Sequence, residues 1–384
     1  MKKGWKTETL GDTCEMYQPK TISGKDMVED GPYLVFGANG VIGRYDKYNH
    51  EEPQLLITCR GATCGSVNVS EPKSWITGNA MVVRSRNGAI DRRFLEYLFR
   101  GGLDVSKAIT GAAQPQITRT NLEPLEISYP NTLSEQHRIV RLLDEAFEGI
   151  ATAKANATKN LQNARALFES HLQSVFSQRG KGWVERPLES ISTIINGFAF
   201  KSTDFSAKAG VKCIKITNVG VREFMEETGP FLPPNFAGKH KAFTVTEGNI
   251  VIALTRTIIA GGLKVAVVPA EYDGALLNQR VASIVVAPHV MSDTFLFAFL
   301  STQTVVDYVK ARVNTLMQPN LSITDLRLMP IPFPPLAEQI EITNRIDALR
   351  EETQRLTSLY TRKLAALEAL KKSLLHRAFS GELR

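Results

Sequence analysis

The chain has 384 residues, of which 43% are hydrophobic, enough to fill the cores of two globular domains. No apolar run approaches the ~18 residues of a membrane-spanning helix, and the amino-terminal sequence MKKGWKTETLGD has no stretch typical of a signal peptide, so we expect a cytoplasmic protein. The formal net charge of +7 is spread thinly along the chain and does not by itself establish a nucleic-acid-binding surface.

The first part of the chain has the pattern of a strand-rich domain. β-Branched and aromatic runs, separated by Gly-rich turns such as GANG and RGATCG, predict strands at 33–36, 54–59, 66–69 and 80–83. A helix is expected at about 91–99. The segment QPQITRTNLEPLEI that follows is predicted to be extended and to lead through prolines into a long helix.

Residues 134–177 have the apolar spacing of a coiled coil, with steps that alternate between three and four residues. The segment contains no proline, Pro130 stands before it, and Thr132 with Glu135 can form a capping box at its start. A helix of this extent would be roughly 65 Å long at ~1.5 Å per residue. The residues predicted to pair with a second helix are Ile139, Leu143, Ile150 and Leu161.

The second globular part follows the same plan. Strands are predicted at 211–217, 249–254, 263–268 and 281–286, and a helix at 295–309. It closes with QPNLSITDLRLMPI, whose Gln318 and Pro319 match Gln114 and Pro115 at an offset of 204.

Residues 337–380 repeat residues 134–177 without a gap, at an offset of 203. Glu338 and Gln339 match Glu135 and Gln136, and the marker Gly-Trp occurs before each globular part. Two ordinary core helices are the alternative interpretation, which the length of the segments disfavours. The predicted pairing residues of this second helix are Ile342, Ile346, Leu349, Leu356, Leu364 and Leu367.

The sequence therefore predicts an α+β protein, in which two strand-rich domains of mixed α/β character are separated by two long antiparallel coiled-coil helices in a pseudo-twofold internal repeat. The predicted segments are a first domain at 1–132, a central helix at 133–180, a second domain at 181–335 and a carboxyl-terminal helix at 336–384. The copies keep their helices and edges but diverge in the middle, which indicates one scaffold presenting two recognition surfaces.

The sequence carries no motif for catalysis. There is no GxxxxGK[ST] phosphate loop, no [DN]PP[YF] tetrapeptide of adenine methyltransferases, since LPPN at 232–235 has the wrong order, and no HExxH. The four cysteines fit free thiols, and because Cys59 and Cys64 have no matching His or Cys pair, we expect no metal site. No cofactor is implied.

These motifs together resemble the specificity subunit of type I restriction-modification systems. The resemblance covers essentially the whole chain. Each of the two variable domains closes with a QP segment, which is followed by P…LSEQ or PPLAEQ and then by a heptad helix. The second helix ends in FSGEL. The stretches NGFAFKSTDF at 196–205 and LLITCRGATCGSV at 55–67 are similar to stretches of the family's target-recognition domains. The one-residue difference between the two offsets places an insertion between Pro130 and Leu133.

The resemblance implies a non-catalytic subunit in which each globular domain reads one half of a bipartite double-stranded DNA target. It implies that the helices set the spacer and bind two modification (methyltransferase) subunits, which restriction (translocase and nuclease) subunits join. S-adenosylmethionine, ATP and magnesium would then belong to those partners.

Long polar side chains at Gly-rich turns and segment ends are the candidates for DNA contact, because Arg and Lys bind phosphates and Arg and Gln also read base edges. Each is as well explained as a solvated surface residue, and for Phe198 and Phe200 a core position is favoured over an exposed wedge. The candidates are Arg44, Lys47, Arg60, Gln114, Lys201, Lys215, Arg256, Lys264 and Arg280.

Two alternative functions remain compatible with the residues alone. A stand-alone DNA-binding or architectural protein would bind its target tightly without enzyme partners, whereas a coiled-coil adaptor would show no salt-sensitive DNA affinity. A self-contained nuclease or methyltransferase would need a motif that the sequence lacks.

Overall fold

The computed structural model describes residues 4–111, 114–205, 208–312 and 320–383. Contacts divide the chain into two units, one formed by Met1–Lys159 with Tyr360–Arg384 and the other by Asn160–Leu359. The division passes through both long helices, so each unit contains one globular part and a portion of each helix. Gln318 and Pro319 lie outside the described residues.

The elements of the globular part of the first unit precede the first long helix. Its strands are β1 (Trp5–Thr9), β2 (Cys14–Tyr17), β3 (Tyr33–Gly37), β4 (Gly40–Tyr45), β5 (Leu55–Thr58), β6 (Val67–Val69), β7 (Trp75–Ile76), β8 (Ala80–Ser85), β9 (Ile109–Thr110), β10 (Gln116–Ile117) and β11 (Glu126–Pro130). Its helices are α1 (Leu10–Thr13), α2 (Arg92–Tyr97) and α3 (Arg119–Leu122), and the long helix α4 spans Leu133–Ser177.

The second globular part and the second long helix follow. The strands are β12 (Val184–Pro187), β13 (Ser192–Asn196), β14 (Cys213–Ile214), β15 (Ile250–Ala253), β16 (Ile258–Ile259), β17 (Gly262–Leu263), β18 (Val265–Val267), β19 (Leu276–Leu277), β20 (Val281–Val286) and β21 (Pro330–Phe333). The helices are α5 (Phe236–Lys239), α6 (Asp293–Leu300), α7 (Gln303–Lys310), α8 (Ile323–Arg327) and α9 (Leu336–Phe379). Within the described residues, no helix has the length and apolar character needed to cross a membrane.

Each unit is built on the same antiparallel four-stranded sheet. The strand order is β2-β8-β5-β6 in the first unit and β13-β20-β15-β18 in the second. A separate two-stranded ribbon, β1 with β11 or β12 with β21, joins the start of each globular part to the segment just before its long helix. The ribbon explains the repeated Gly-Trp marker, because Trp5 and Trp183 lie at or beside its beginning.

The core of each unit lies between the four-stranded sheet, a short helix and the long helices. In the first unit Phe94 of α2 is fully buried and its ring meets that of Phe379 of α9 at 5.3 Å between centroids. In the second unit Phe295 of α6 is fully buried and meets Phe176 of α4 at 5.2 Å. Burying a Phe side chain stabilises a fold by ~1.5–3 kcal/mol, so these contacts hold the helices to the globular parts.

The long helices contact each other within both units. In the first unit Arg138 of α4 bonds to the Leu383 carbonyl just beyond α9, the Lys371 ammonium lies 5.1 Å from the Phe147 ring centroid, and Lys154 forms an ion pair with Glu368. The residue number falls along α9 as it rises along α4, so the two portions are antiparallel there. In the second unit the Arg350 guanidinium lies 5.7 Å from the Phe168 ring centroid.

The residues predicted to pair the helices are all withdrawn from solvent to some extent. Ile139 and Leu143 belong to the core cluster of the first unit, and Ile342 and Ile346 to that of the second, so these four also attach the helices to the globular parts. Ile150 is buried, and the half-buried members are Leu161, Leu349, Leu356, Leu364 and Leu367.

Several local expectations differ from the structure. The helix predicted at 295–309 is two helices, because Thr302 is extended at φ −83° and ψ 157°, and the Ser301 and Thr302 hydroxyls bond back to the carbonyls of Phe297 and Phe299. The strand predicted at 211–217 is limited to Cys213–Ile214, because the Asn218 side chain accepts the Lys215 N–H and turns the chain.

The segments predicted to be extended after each QP dipeptide contain a helical turn instead. Thr118 accepts a hydrogen bond from the Asn121 N–H to start α3, and Ser322 accepts one from the Asp325 N–H to start α8. At 91–99, the helix α2 ends at Tyr97 and the chain continues in a wider turn through Leu98–Gly102. A Cβ at Gly102 would lie 2.3 Å from the Phe379 ring, which explains the need for glycine there.

A buried glutamine near the start of each long helix makes the same three hydrogen bonds. Gln136 is fully buried; its side-chain oxygen accepts the Asp91 N–H at 2.7 Å and its amide donates to the carbonyls of Ala89 and Pro130, both at 3.0 Å. Gln339 is also fully buried and accepts the Ser292 N–H while donating to the carbonyls of Val290 and Pro334, each at 2.9 Å. Each glutamine thus ties a long helix to the residue that caps α2 or α6.

We expect Gln136→Leu to destabilise the first unit by about 3 kcal/mol, because it leaves a buried N–H and two buried carbonyls without partners. Gln339→Leu should have the same effect on the second unit. Hydrogen–deuterium exchange should show faster exchange at the Asp91 amide in the first variant and at the Ser292 amide in the second.

Gln162→Leu is the matched control, because Gln162 is exposed on the same helix α4. It should leave both amides protected. We call Gln136 or Gln339 with its three hydrogen bonds the glutamine clamp. Unchanged denaturation and exchange in Gln136→Leu would show that the glutamine clamp does not hold the helix to its domain.

Candidate nucleic-acid interface

The candidate surface in each unit is one end of the four-stranded sheet, which we call the loop end. In the first unit it comprises the end of β2, the β5–β6 hairpin loop and the start of β8, because Thr58 pairs with Ala80 and Tyr17 with Val82. In the second unit it comprises the corresponding ends of β13, β15, β18 and β20. The two loop ends are equivalent places on equivalent sheets.

Several segments at the loop ends contain cations and no carboxylates, whereas the loops that follow β2 and β13 contain Asp26, Glu29, Asp30 and Asp204. In the first unit the segments 59–66, 77–79 and 114–118 contain Arg60 and no Asp or Glu. In the second unit the segments 254–264, 278–280 and 320–322 contain Arg256, Lys264 and Arg280 and again no Asp or Glu. The charge of these particular segments is therefore positive, which suits binding of a polyanion.

In the first unit the structure brings Arg60 together with the QP segment. Arg60 and Gln116 face each other in an antiparallel bridge, with the Gly61 N–H bonded to the Pro115 carbonyl at 3.0 Å and the Ile117 N–H to the Cys59 carbonyl at 2.9 Å. Both side chains are exposed, and the candidate Gln114 is exposed beside them. Gln116 was not among the residues predicted to contact DNA.

The second unit has the same bridge with different side chains. Thr255 faces Asn320, and the Leu321 N–H bonds to the Leu254 carbonyl at 2.8 Å, as Ile117 does to Cys59. Asn320 is exposed and Thr255 is half-buried. Neither residue was singled out from the sequence, although the offset of 204 that aligns the QP segments also aligns Asn320 with Gln116.

Arg256, Lys264 and Arg280 lie around this second bridge. Arg256 is exposed, and the carbonyl of the exposed Arg280 accepts the Leu254 N–H at 2.8 Å. Lys264 is half-buried; burial, and then the nearby Arg256 charge, lowers the pKa of its ammonium. Its Nζ donates to the Ile216 carbonyl at 2.5 Å, so Lys264 contributes charge rather than a freely moving side chain.

Lys201 and Phe198 border the loop end of the second unit. The Phe198 N–H bonds to the Leu277 carbonyl at 2.8 Å, next to the loop that carries Arg280, and its side chain is 37% exposed. The Lys201 side chain is exposed, while its backbone N–H donates to Asp204 at 2.7 Å. Phe200, in contrast, is 7% exposed and packs with Cys213 and Leu232 in a core cluster.

Three candidates lie in other surroundings. Arg44 and Lys47 lie at and beyond the end of β4, in a separate three-stranded sheet, and the Arg44 guanidinium donates to the Gly31 carbonyl at 3.1 Å. Lys215 is 3.7 Å from the Glu227 carboxylate and 4.9 Å from the Phe205 ring centroid. The structure does not gather these three cations with the others.

No arrangement for metal binding is found among the described side chains, where no group of three His, Cys, Asp or Glu is placed to hold an ion. The four cysteines are free, and burial raises the pKa of the Cys213 thiol to about 12.

A family model matches most of the chain. Residues 2–162 and 180–368 match the model described as the type I restriction modification DNA specificity domain. Each matched range contains one four-stranded sheet and one loop end.

Similar proteins span the full length. The type I restriction enzyme MjaVIII specificity subunit of Methanocaldococcus jannaschii is 25% identical over 99% of this chain and 93% of its own length. The EcoDI specificity subunit of Escherichia coli is 21% identical over 99% of this chain and 88% of its own.

Solved structures share the fold at lower identity. A chain from a study of complex assembly and conformational transition of the type I R-M system superposes with a TM-score of 0.76 at 16% identity, covering 98% of both chains. The HsdS subunit from Thermoanaerobacter tengcongensis gives 0.63 at 16% identity, covering 99% of this chain and 98% of that one.

Arg256 adopts φ +48° at the position that Gly61 fills, with φ +88°, in the first unit. A side chain in this left-handed region is strained, so we expect Arg256→Gly to be more stable than Arg256→Ala by ~1 kcal/mol. Both variants remove the charge, so thermal denaturation of the pair isolates the backbone conformation. Gly61→Ala should cost a similar amount, because no heavy atom lies within 4 Å of the added Cβ. Equal stability of the two Arg256 variants would contradict the strain.

Proposed function

The chain belongs to the family of type I restriction modification DNA specificity domains, and from this premise we propose how it acts as a DNA specificity subunit. Each globular part reads one half of a bipartite double-stranded DNA target, through the loop end of its four-stranded sheet. The observation that carries this proposal is that two sheets have the same strand order, and that their β5–β6 and β15–β18 loops both contain cations and no carboxylate but differ in their other side chains. Such a pair of surfaces suits two different sequences on the same polyanion.

The two long helices act as a spacer in this proposal. We infer that α4 and α9 form an antiparallel coiled coil and that the chain has pseudo-twofold symmetry. A reciprocal exchange supports this: Phe147 of α4 meets Lys371 of α9, and at the positions related by the offset of 203, Arg350 of α9 meets Phe168 of α4. A cation–π contact at matched positions fixes the register of one helix on the other, as polar groups do in coiled coils.

The catalytic steps belong to partner subunits. Specificity subunits of type I systems lack catalytic activity, and the matched sequence contains neither a GxxxxGK[ST] phosphate loop nor a [DN]PP[YF] methyltransferase tetrapeptide. We propose that two modification subunits and the restriction subunits bind this chain in the cytoplasm and bring S-adenosylmethionine, ATP and magnesium. Leu167 and Leu370, equivalent residues on α4 and α9, are 54% and 47% exposed and suit contact with the modification subunits.

Methylation mapping tests the proposed function. In cells that carry this chain with its modification subunit, methylated adenines should fall in a single bipartite motif with an unread spacer. Replacing residues 4–130 with those of a relative should change one half of the motif and keep the other. A contiguous motif, or changes in both halves, would contradict the assignment of one half to each globular part.

DNA-binding measurements distinguish the two alternative functions. Salt-sensitive binding to the whole target by the chain alone would favour a stand-alone DNA-binding protein. Absence of any DNA affinity in the complex would favour an adaptor.

Inserting seven residues into both α4 and α9 tests the spacer role. Seven residues lengthen a helix by about 10 Å, which corresponds to about three base pairs of B-DNA. The accepted spacer should lengthen by that amount, while the bases of both halves stay the same, as read by methylation mapping. Insertion into α4 alone is the control and should abolish specific methylation, because the two helices lose their register. Altered half-site bases with an unchanged spacer would contradict the spacer role.

A further inference from the structure

We propose that the side chains at the two equivalent bridges, Arg60 with Gln116 and Thr255 with Asn320, are the base-reading residues of the two halves. This inference rests on the proposed function and specifies which residues carry it. It adds three residues, Gln116, Thr255 and Asn320, that charge and turn position alone do not single out.

The bridge geometry places each pair on one face. At the first bridge the hydrogen bonds run from Gly61 to Pro115 and from Ile117 to Cys59, so Arg60 and Gln116 form a non-hydrogen-bonded antiparallel pair. In such pairs the Cα atoms are ~4.5 Å apart and the side chains are at their closest. This separation is close to the ~3.4 Å between stacked base pairs, so the two side chains can reach neighbouring bases.

The four side chains at the two bridges are accessible and are not bonded to other described residues. Arg60, Gln116 and Asn320 are exposed, and Thr255 is half-buried. None of the four forms a side-chain hydrogen bond or ion pair with another described residue. Arg44 and Lys215 differ in this respect, because the Gly31 carbonyl and the Glu227 carboxylate already occupy them.

The chemistry of the two pairs predicts different bases. An Arg fork pairs with the O6 and N7 of guanine, and a Gln or Asn amide with the N6 and N7 of adenine, while a Thr methyl contacts the thymine methyl. The first half of the target should therefore contain a guanine next to an adenine, on either strand. The second half should contain an adenine read by Asn320, beside an A·T pair contacted by Thr255.

The surrounding cations supply the affinity that does not depend on sequence. Arg256 and Arg280 are exposed near the second bridge, where they can bind phosphates of the DNA backbone. In this inference the exposed cations near the second bridge bind phosphates, while the side chains of the bridge contact the bases.

The test measures base preference with the complete complex of this chain and its modification subunits, acting on a plasmid library in which both halves of the mapped motif are randomised. Arg60→Lys keeps the charge and loses the planar fork, and Gln116→Ala loses the amide. Each should reduce discrimination at one base pair of the first half by tenfold or more and leave the second half unchanged. Asn320→Ala should do the converse in the second half.

Gln162→Ala is the matched control, since Gln162 carries an exposed amide on α4 and lies outside both bridges and both loop ends. It should leave every base preference unchanged. If the wild-type complex methylates a bipartite motif but Arg60→Lys, Gln116→Ala and Asn320→Ala all keep the wild-type preferences, the inference is wrong and the proposed function stands. If the wild-type complex methylates no bipartite motif, the proposed function itself fails.

Discussion

One buried glutamine constrains the orientation of each long helix on its globular part. Gln136 and Gln339 have no contact with solvent, and the side chain of each accepts the N–H of a capping residue and donates to two carbonyls. A buried amide with all its partners in place has one acceptable geometry, because any tilt of the helix would strand polar groups in the core. Hydrophobic contacts alone, such as Phe94 with Phe379, would tolerate more movement.

A protein that positions reading surfaces needs such directional contacts. Apolar packing supplies most of the free energy that holds α4 and α9 to the sheets, but it is not directional. The hydrogen bonds of the glutamines constrain the orientation of each helix at one end. The cation–π contacts of Phe147 and Phe168 constrain how α4 and α9 are aligned along their length. The exchange of ring and cation between the helices keeps both contacts while the two sequences differ, which explains why these four positions are not identical in the repeat.

The sequence predicted the long helices well, because their signal is long and periodic. The segments 134–177 and 337–380 agree with Leu133–Ser177 and Leu336–Phe379 to within a residue at each end. The core strands were also predicted: Val281–Val286 has the predicted bounds, and Leu55–Thr58 lies within them. The ends of elements at Thr302 and Asn218 were not predicted, because each depends on a hydrogen bond between a single side chain and the backbone. Periodicity carries no information about such bonds.

The structure places the residues predicted to contact DNA in different surroundings, and their contact with DNA stays a prediction. Composition and turn position pointed to Arg60, Arg256, Lys264 and Arg280, which the structure gathers at the loop ends, and equally to Arg44 and Lys215, which have partners elsewhere. Whether a cation is available depends on the contacts of its side chain, such as those of Arg44 with Gly31 and of Lys215 with Glu227. Gln116 and Asn320 carry no charge and stand out only when the backbone places them opposite Arg60 and Thr255.

The bridges also explain how the two halves can diverge in specificity without loss of fold. Each is held by main-chain hydrogen bonds, Ile117 to Cys59 and Leu321 to Leu254, which form with any side chains at the bridge itself. Ile117 and Leu321, the residues that follow the bridge, are each 3% exposed and anchor it in the core. Substitution of the exposed pair therefore changes what the surface can bind, while the buried anchor and the glutamine clamp keep that surface in place. The exposed bridge residue and the buried anchor are adjacent in the chain. They can have different roles because successive side chains of an extended strand point to opposite faces.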